Sequence, residues 1–208
     1  MDKLNRNKMI LTYFKILTVT LLLTSCAPYI TEREPPKPYV TTSPLFKPAV
    51  YPRLAILVID NTRRFRSYQG ALRQIEDEFM RSALNRGYTV AARSDIDEVL
   101  DELNLQRSNL TEKEIAEAGL ILNVPAILIV NINNASTERY YPSISVQGAR
   151  YYSTTVSVSA RLISAELAEV MWISSYTGNY KASNRSRENE VQALPIVARI
   201  VASGLPRR

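Results

Sequence analysis

Residues Leu54 to Ile59, LAILVI, form an unbroken apolar run, preceded by Pro52 and followed by Asp60-Asn61-Thr62. A strand of this kind has no water-facing side, so it belongs inside a sheet covered on both faces. After a basic loop, Leu72, Ile75, Phe79, Ala83 and Leu84 recur at helical spacing, and Gly87 after Arg86 supplies a C-terminal stop. A second strand is expected at Tyr88 to Ala92. The three pieces make a β-α-β unit, whose helical crossover favours a parallel strand pair.

The rest of the domain extends this frame. Ser94 with Asp97 marks a helix start, and Ile96, Val99, Leu100 and Leu103 form one apolar stripe. Thr111 with Glu114 reads as a capping box for a short helix through about Leu120. Pro125 opens a third strand, Ala126 to Ile132. Val156, Val158, Ala160 and Leu162 then alternate with Thr155, Ser157, Ser159 and Arg161, the pattern of a half-buried strand. A polar turn near Ser164 to Ala168 joins it to a partner from Glu169 to Tyr180. A final helix is expected to begin near Pro195, which suits a first helical position, and to end before Gly204 and Pro206. The order β-α-β-α-α-β-β-β-α gives an α/β class, specifically an α+β mixed sheet with helices packed on it, as a single domain over 54–208.

The segment ahead of that domain follows different rules. A basic stretch through Lys8 leads into an apolar run from Met9 to Leu23, then Leu23-Thr24-Ser25-Cys26. This is the layout of an export signal over 1–25, too short for a comfortable membrane span. Small residues before a cysteine resemble the bacterial lipoprotein box, in which that thiol is acylated and becomes the new N-terminus. Cys26 is therefore the expected lipidation site, and Ala27 in place of an aspartate favours the outer membrane, with the domain on the periplasmic side. Residues 26–53 hold seven of the eleven prolines and read as the lipidated cysteine plus a proline-rich tether. At ~3.1 Å per residue such a tether reaches up to ~80 Å. An alternative is that part of it lies as an arm on a neighbouring subunit.

Several chemistries are excluded by what the chain lacks. Histidine is absent and cysteine occurs once, which removes imidazole bases, Ser-His and Cys-His nucleophiles, His-ligated metals, intramolecular disulfides and Cys-rich clusters. No cofactor and no metal are expected. The net charge is +6, of which residues 1–25 supply +3. The remainder is a weak electrostatic footprint, and no nucleic-acid partner is expected.

The chain resembles the CsgG-type lipoprotein family, which includes the curli-secretion proteins and the LpoB-type activators of penicillin-binding proteins, and it resembles the fold of the TolB N-terminal domain. The resemblance is carried by Cys26, by the strand Leu54 to Thr62, by Arg86-Gly87-Tyr88-Thr89-Val90 running into Arg93 to Leu100, and by Asn104-Leu105-Gln106. Val124 to Val130 and the hairpin Val158 to Ser164 with Glu169 to Trp172 add to it. It implies a non-enzymatic envelope lipoprotein that assembles or regulates a secretion or cell-wall machine through protein contacts, and it admits a homo-oligomeric ring. The curli channel inserts two hairpins per subunit, four strands of ~10 alternating residues each. Here only 134–152 and 181–190 are available, and the second holds five charges in ten residues. A small pore built from a shortened hairpin at 134–152 stands as the alternative. Val124-Pro125 departs from the glycine and acidic residue that relatives tend to carry.

Candidate sites follow from position and side-chain chemistry. Asp60, Asn61 and Thr62 sit at the expected carboxyl end of the first strand, where open α/β sheets bind ligands, yet no phosphate-binding loop follows. The reading is a capped loop, with Arg63, Arg64 and Arg66 as donors to an anion or partner carboxylate. Tyr140, Tyr141, Tyr151 and Tyr152 flank Pro142 and Gly148 in what reads as the most irregular part of the domain, and offer wide contact area with a polar tip. The acidic sets Glu76-Asp77-Glu78 and Asp95 to Glu102 are expected to face water on helices, with no catalytic role. Arg185, Arg187, Arg199, Arg207 and Arg208 form a basic C-terminal region. No catalytic residue is assigned.

Overall fold

The computed structural model describes residues 36–208 except positions 66, 67, 104, 106–109, 141–150 and 183. Cys26, Arg66 and Tyr141 therefore lie outside the described residues, as does the expected signal. Six described strands form one mixed sheet: β1 (Tyr39–Thr42), β2 (Arg53–Asp60), β3 (Thr89–Val90), β4 (Ala126–Tyr140), β5 (Tyr151–Ser164) and β6 (Val170–Ala182), ordered β1-β6-β5-β4-β2-β3. β2 pairs in parallel with β3 and β4, and the remaining ladders are antiparallel. From β2 onward the element order is the one expected from the sequence. No helix among the described residues is long and apolar enough to cross a membrane.

Helices cover both faces, as the apolar run in β2 requires. α1 (Gln69–Asn85) and α4 (Arg187–Ala202) lie on one face; Ile75, Phe79, Leu194 and Val197 are buried there against Ile56, Leu128 and Trp172. α2 (Arg93–Glu102) and α3 (Glu112–Ile121) lie on the other, with Ile96, Val99 and Ile115 against Leu57, Ile127 and Ile129. Each such side chain contributes ~1.5–3 kcal/mol when fully buried, so the two seams carry most of the fold's stability. Gly87 ends α1 at φ +89°, with the Tyr88 N–H donating to the Ala83 carbonyl at 3.1 Å. The Thr111 box is closed: its Oγ1 accepts from the Glu114 N–H at 3.3 Å, and Glu114 Oε2 accepts from the Thr111 N–H at 2.8 Å. The Thr111 N–H and the Thr111 hydroxyl, each donating to Glu114 Oε2 at 2.8 Å, hold the Glu114 carboxyl below its ordinary range.

Four expectations are corrected. The proline-rich stretch is not all tether: Tyr39–Thr42 pair with Trp172 to Ser175 of β6, and Phe46 and Tyr51 stack at 5.4 Å and are buried. This arm lies on its own sheet. A Cβ at Gly204 would come within 2.8 Å of both Val40 Cγ2 and Ser174 Oγ, so glycine there lets the arm sit on the turn after α4. Second, β4 and β5 do not stop near Ile132 and Thr155 but run paired to Tyr140↔Tyr151. A register shift between Ile132 and Asn134 keeps Ala135 and Thr137 on the buried face. Third, α4 begins at Arg187, not near Pro195, which sits inside it. The apolar stripe of Leu194, Val197 and Val201 continues back to Val191, and its burial outweighs the ~3 kcal/mol cost of an interior proline. Fourth, Glu76 and Glu78 are buried rather than solvated. Arg93, at the start of α2, reaches Glu76 at 2.8 Å, and Glu78 lies in the seam between α1 and α4, where Arg199 grips both of its oxygens at 2.8 and 3.1 Å.

Candidate functional site

At the carboxyl end of β2, Asp60 folds its own loop. Its Oδ1 accepts from the Thr62 N–H at 3.0 Å and the Thr62 hydroxyl at 2.5 Å, and its Oδ2 from the Phe65 N–H at 2.8 Å. Both oxygens are thus engaged by the turn, and the fully buried Phe65 ring pins the far end. Arg63 takes φ +57°, a strained setting for a residue with a Cβ, and is exposed.

Arg64 turns back into the domain. Its Nη1 donates to the Ala135 carbonyl at 2.7 Å and its Nη2 to Glu190 Oε1 at 3.3 Å. Arg64 is 40% exposed while Glu190, one turn into α4, is 2% exposed. The second oxygen, Glu190 Oε2, is buried with no hydrogen-bond partner. A buried acceptor left unpaired costs ~1–3 kcal/mol, so Arg64 is what keeps this carboxylate tolerable in the wall.

These groups line a cleft of about 320 Å³. Its floor is Ser136, Thr137 and Glu138 of β4; its rim is Arg185, Ser186 and Arg187 where α4 begins. Ser186 caps the helix, its Oγ accepting from the Glu188 N–H at 3.1 Å. The Arg187 guanidinium stands 5.8 Å from the centroid of the Tyr68 ring, a cation–π approach that orients it beside the opening. Three guanidiniums against two carboxylates, one carboxylate already held by Arg64, leave the opening cationic. Its chemistry is recognition of anions and hydrogen-bonding groups.

Of the residues singled out from sequence, Arg64 reaches this cleft as a structural donor, while Arg63 is absent from its lining. Tyr140 and Tyr151 form the last described pair of the β4–β5 ladder, and Tyr152 stands opposite Arg139 and Ala182. The region read as irregular is therefore strand on both sides of the stretch 141–150. Arg185, Arg187 and Glu190 were not legible as cleft residues; Arg185 and Arg187 read only as part of a basic terminus. The structure splits that terminus three ways: Arg185 and Arg187 go to the cleft, Arg199 to Glu78, and Arg208 to Arg86, whose carbonyl accepts from the Arg208 N–H at 3.1 Å. A second, larger hollow of about 480 Å³ opens at the opposite end of the sheet among the exposed side chains Leu45, Val50, Leu120 and Leu167.

No protein-family profile matches this chain, and no curated protein does. Among solved structures it is similar to the lipoprotein GNA1162 from Neisseria meningitidis, at 13% identity over 72% of this chain and 97% of that one, with a TM-score of 0.47. It is similar to the PelC dodecamer from Paraburkholderia phytofirmans at 15% identity over 83% and 98% of the two chains, TM-score 0.42. The LpoB C-terminal domain from Salmonella enterica follows at 10% identity over 64% and 82%, TM-score 0.31. All three scores lie below 0.5, and the reading of function rests on this chain's own residues.

Proposed function

We propose that this protein is a lipoprotein held in the outer membrane through Cys26, facing the periplasm, and that it serves a cell-envelope machine as a non-enzymatic assembly or regulatory component. The observation that carries the reading is the division of labour at the end of β2. The carboxylate at the position where open α/β sheets gather ligands, Asp60, is consumed by its own loop, and what the domain offers to solvent beside it is a guanidinium-rimmed cleft suited to protein contact. With the arm docked on β6, at most twelve residues, Ala27 to Pro38, separate Cys26 from the sheet. Their extended reach is about 37 Å, which keeps the domain near the bilayer.

The test is mass spectrometry of the mature chain with fractionation of the membranes, run beside in-cell crosslinking. The expected result is a chain starting at acylated Cys26 in the outer membrane, lost to the soluble fraction by Cys26→Ser, with one recurrent crosslinked envelope protein. An unmodified thiol or a retained Met1 overturns the anchor, and turnover of an envelope glycan that Asp60→Ala abolishes overturns the non-enzymatic role.

One observation favours a second reading, a pore made of shortened hairpins: β4 and β5 stay paired eight residues beyond the last residue of β4 that β2 covers, Ile132. Against it, Asn134 and Glu138 are exposed on that extension where a barrel wall needs alternating apolar residues. Planar-bilayer conductance separates the two, since an adaptor conducts nothing.

A further inference from the structure

β2 ends at Asp60, opposite Ile132, and among the described residues no strand flanks β4 on that side from Asn134 to Tyr140. The direction of the backbone groups there follows from two bonds. The Ile132 carbonyl accepts from the Asn61 N–H at 3.2 Å and the Ala135 carbonyl from Arg64 at 2.7 Å, so both point away from β5. Alternation along an antiparallel strand then turns the N–H and C=O of Thr137 to the same open side. Thr137 also lines the arginine-rimmed cleft. Among the described residues, a side of β4 that no strand covers and a cationic opening therefore share one space.

An edge of this kind is a template for an added strand, which takes main-chain hydrogen bonds from it and side-chain specificity from what stands nearby. Arg64 already acts as a placeholder, supplying a side-chain donor where a neighbouring strand would supply an N–H. Seven residues of edge at ~3.3 Å each give ~23 Å, enough for a short extended segment. What stands nearby is Arg185 and Arg187, so acidic side chains are favoured.

We propose that β4 accepts an extended acidic peptide segment of a partner protein as an additional strand along Asn134 to Tyr140, with its carboxylates met by Arg185 and Arg187. A second copy of this chain is the poorer occupant. The long open edges it offers among the described residues are β6 from Tyr176 to Ala182, which carries Lys181 and no acidic residue, and β4 itself, whose single Glu138 is followed by Arg139. The inference deepens the adaptor reading and rests on it only in taking the ligand to be protein; it makes no use of the lipid.

The experiment is fluorescence anisotropy on the purified full chain with a fluorescein-labelled, acetylated eight-residue peptide of alternating Glu and Val. A Lys/Val peptide of the same length should bind at least tenfold more weakly, and Arg185→Glu combined with Arg187→Glu should reverse that preference. Two further Glu/Val peptides, N-methylated on every Glu or on every Val, separate strand addition from plain charge attraction without altering the protein. One of the two should lose at least tenfold in affinity while the other binds as the parent does. Equal binding of the Glu and Lys peptides overturns the proposal, as does parent-like binding of both N-methylated versions. It is equally overturned if crosslinking traps copies of this chain along β4 that the Glu/Val peptide does not displace. A chain that lacks acylation at Cys26 yet binds the peptide as described would sink the anchor and leave this surface standing.

Discussion

Replacing Arg64 with alanine removes two bonds at once, the one to the Ala135 carbonyl and the one to Glu190. The first is a neutral acceptor worth about 1 kcal/mol; the second is charge-assisted and worth about 1.5–3 kcal/mol. Glu190 is 2% exposed and its other oxygen has no partner, so the variant leaves a carboxylate in the wall with nothing on either oxygen. Breaking a fully buried pair costs about 3–5 kcal/mol, but Arg64 is itself 40% exposed, and water entering its place reduces the loss to about 2 kcal/mol. With a urea slope near 2 kcal/mol per molar for a domain of this size, the midpoint should fall by about 1 M. Trp172, the sole tryptophan and 1% exposed, reports the transition by fluorescence. Adding Glu190→Gln to Arg64→Ala replaces the stranded charge with a neutral amide and should restore about 1 kcal/mol. A midpoint within about 0.25 M of wild type for Arg64→Ala, or no recovery in the double variant, would refute the claim that this pair holds the cleft wall.

Two further outcomes follow from the seams. Arg199, through its hydrogen bonds and its charge, holds the Glu78 carboxyl below its ordinary range against the opposing effect of burial. A carboxylate lowered in the folded state contributes stability that is complete above its unfolded value and is lost as pH falls through the folded one. Between about pH 5 and 2.5 the urea midpoint of the wild type should therefore drop more steeply than that of Glu78→Gln, and parallel curves would show that the pair contributes nothing. Gly119 lies in α3, where an added Cβ would come within 2.8 Å of the Ala165 Cβ. Gly119→Ala gains helix propensity but forces α3 away from Ala165, just past β5, and from Ile127 of β4, and thermal unfolding should show a net loss of about 1 kcal/mol or more; a raised midpoint would mean the seam yields freely.

What could be seen in advance was what local pattern dictates. LAILVI announced a strand with no wet side, the spacing of Ile75, Phe79 and Ala83 announced α1, and Thr111 with Glu114 announced the start of α3. The misses share a physical cause, which is pairing between distant parts of the chain. β1 is four exposed residues between prolines, with no apolar alternation to mark it, and exists because β6 offers an edge. The outer half of β4, Asn-Asn-Ala-Ser-Thr-Glu-Arg-Tyr, has two small buried positions and otherwise reads as a loop. The Thr137 and Thr154 hydroxyls bonded at 2.9 Å across the ladder are a cross-strand contact no window on either segment reveals. The cleft was hidden for the same reason, because Arg64 meets groups 71 and 126 positions further along the chain. The arginine cluster after β2 was visible; that one member would face inward was not.

The seat of the arm on Gly204 has a consequence for handling the molecule. Pro38 and Val40 lie within van der Waals reach of the turn that follows α4, and Arg86 fastens the next stretch by donating to the Ser203 and Leu205 carbonyls. The polypeptide thus comes in and goes out at one corner. A fluorescent protein or affinity handle appended after Arg208 would crowd the very place where the leash arrives, whereas one inserted at the exposed turn Glu166-Leu167 would spare that corner, the start of the leash and every helix.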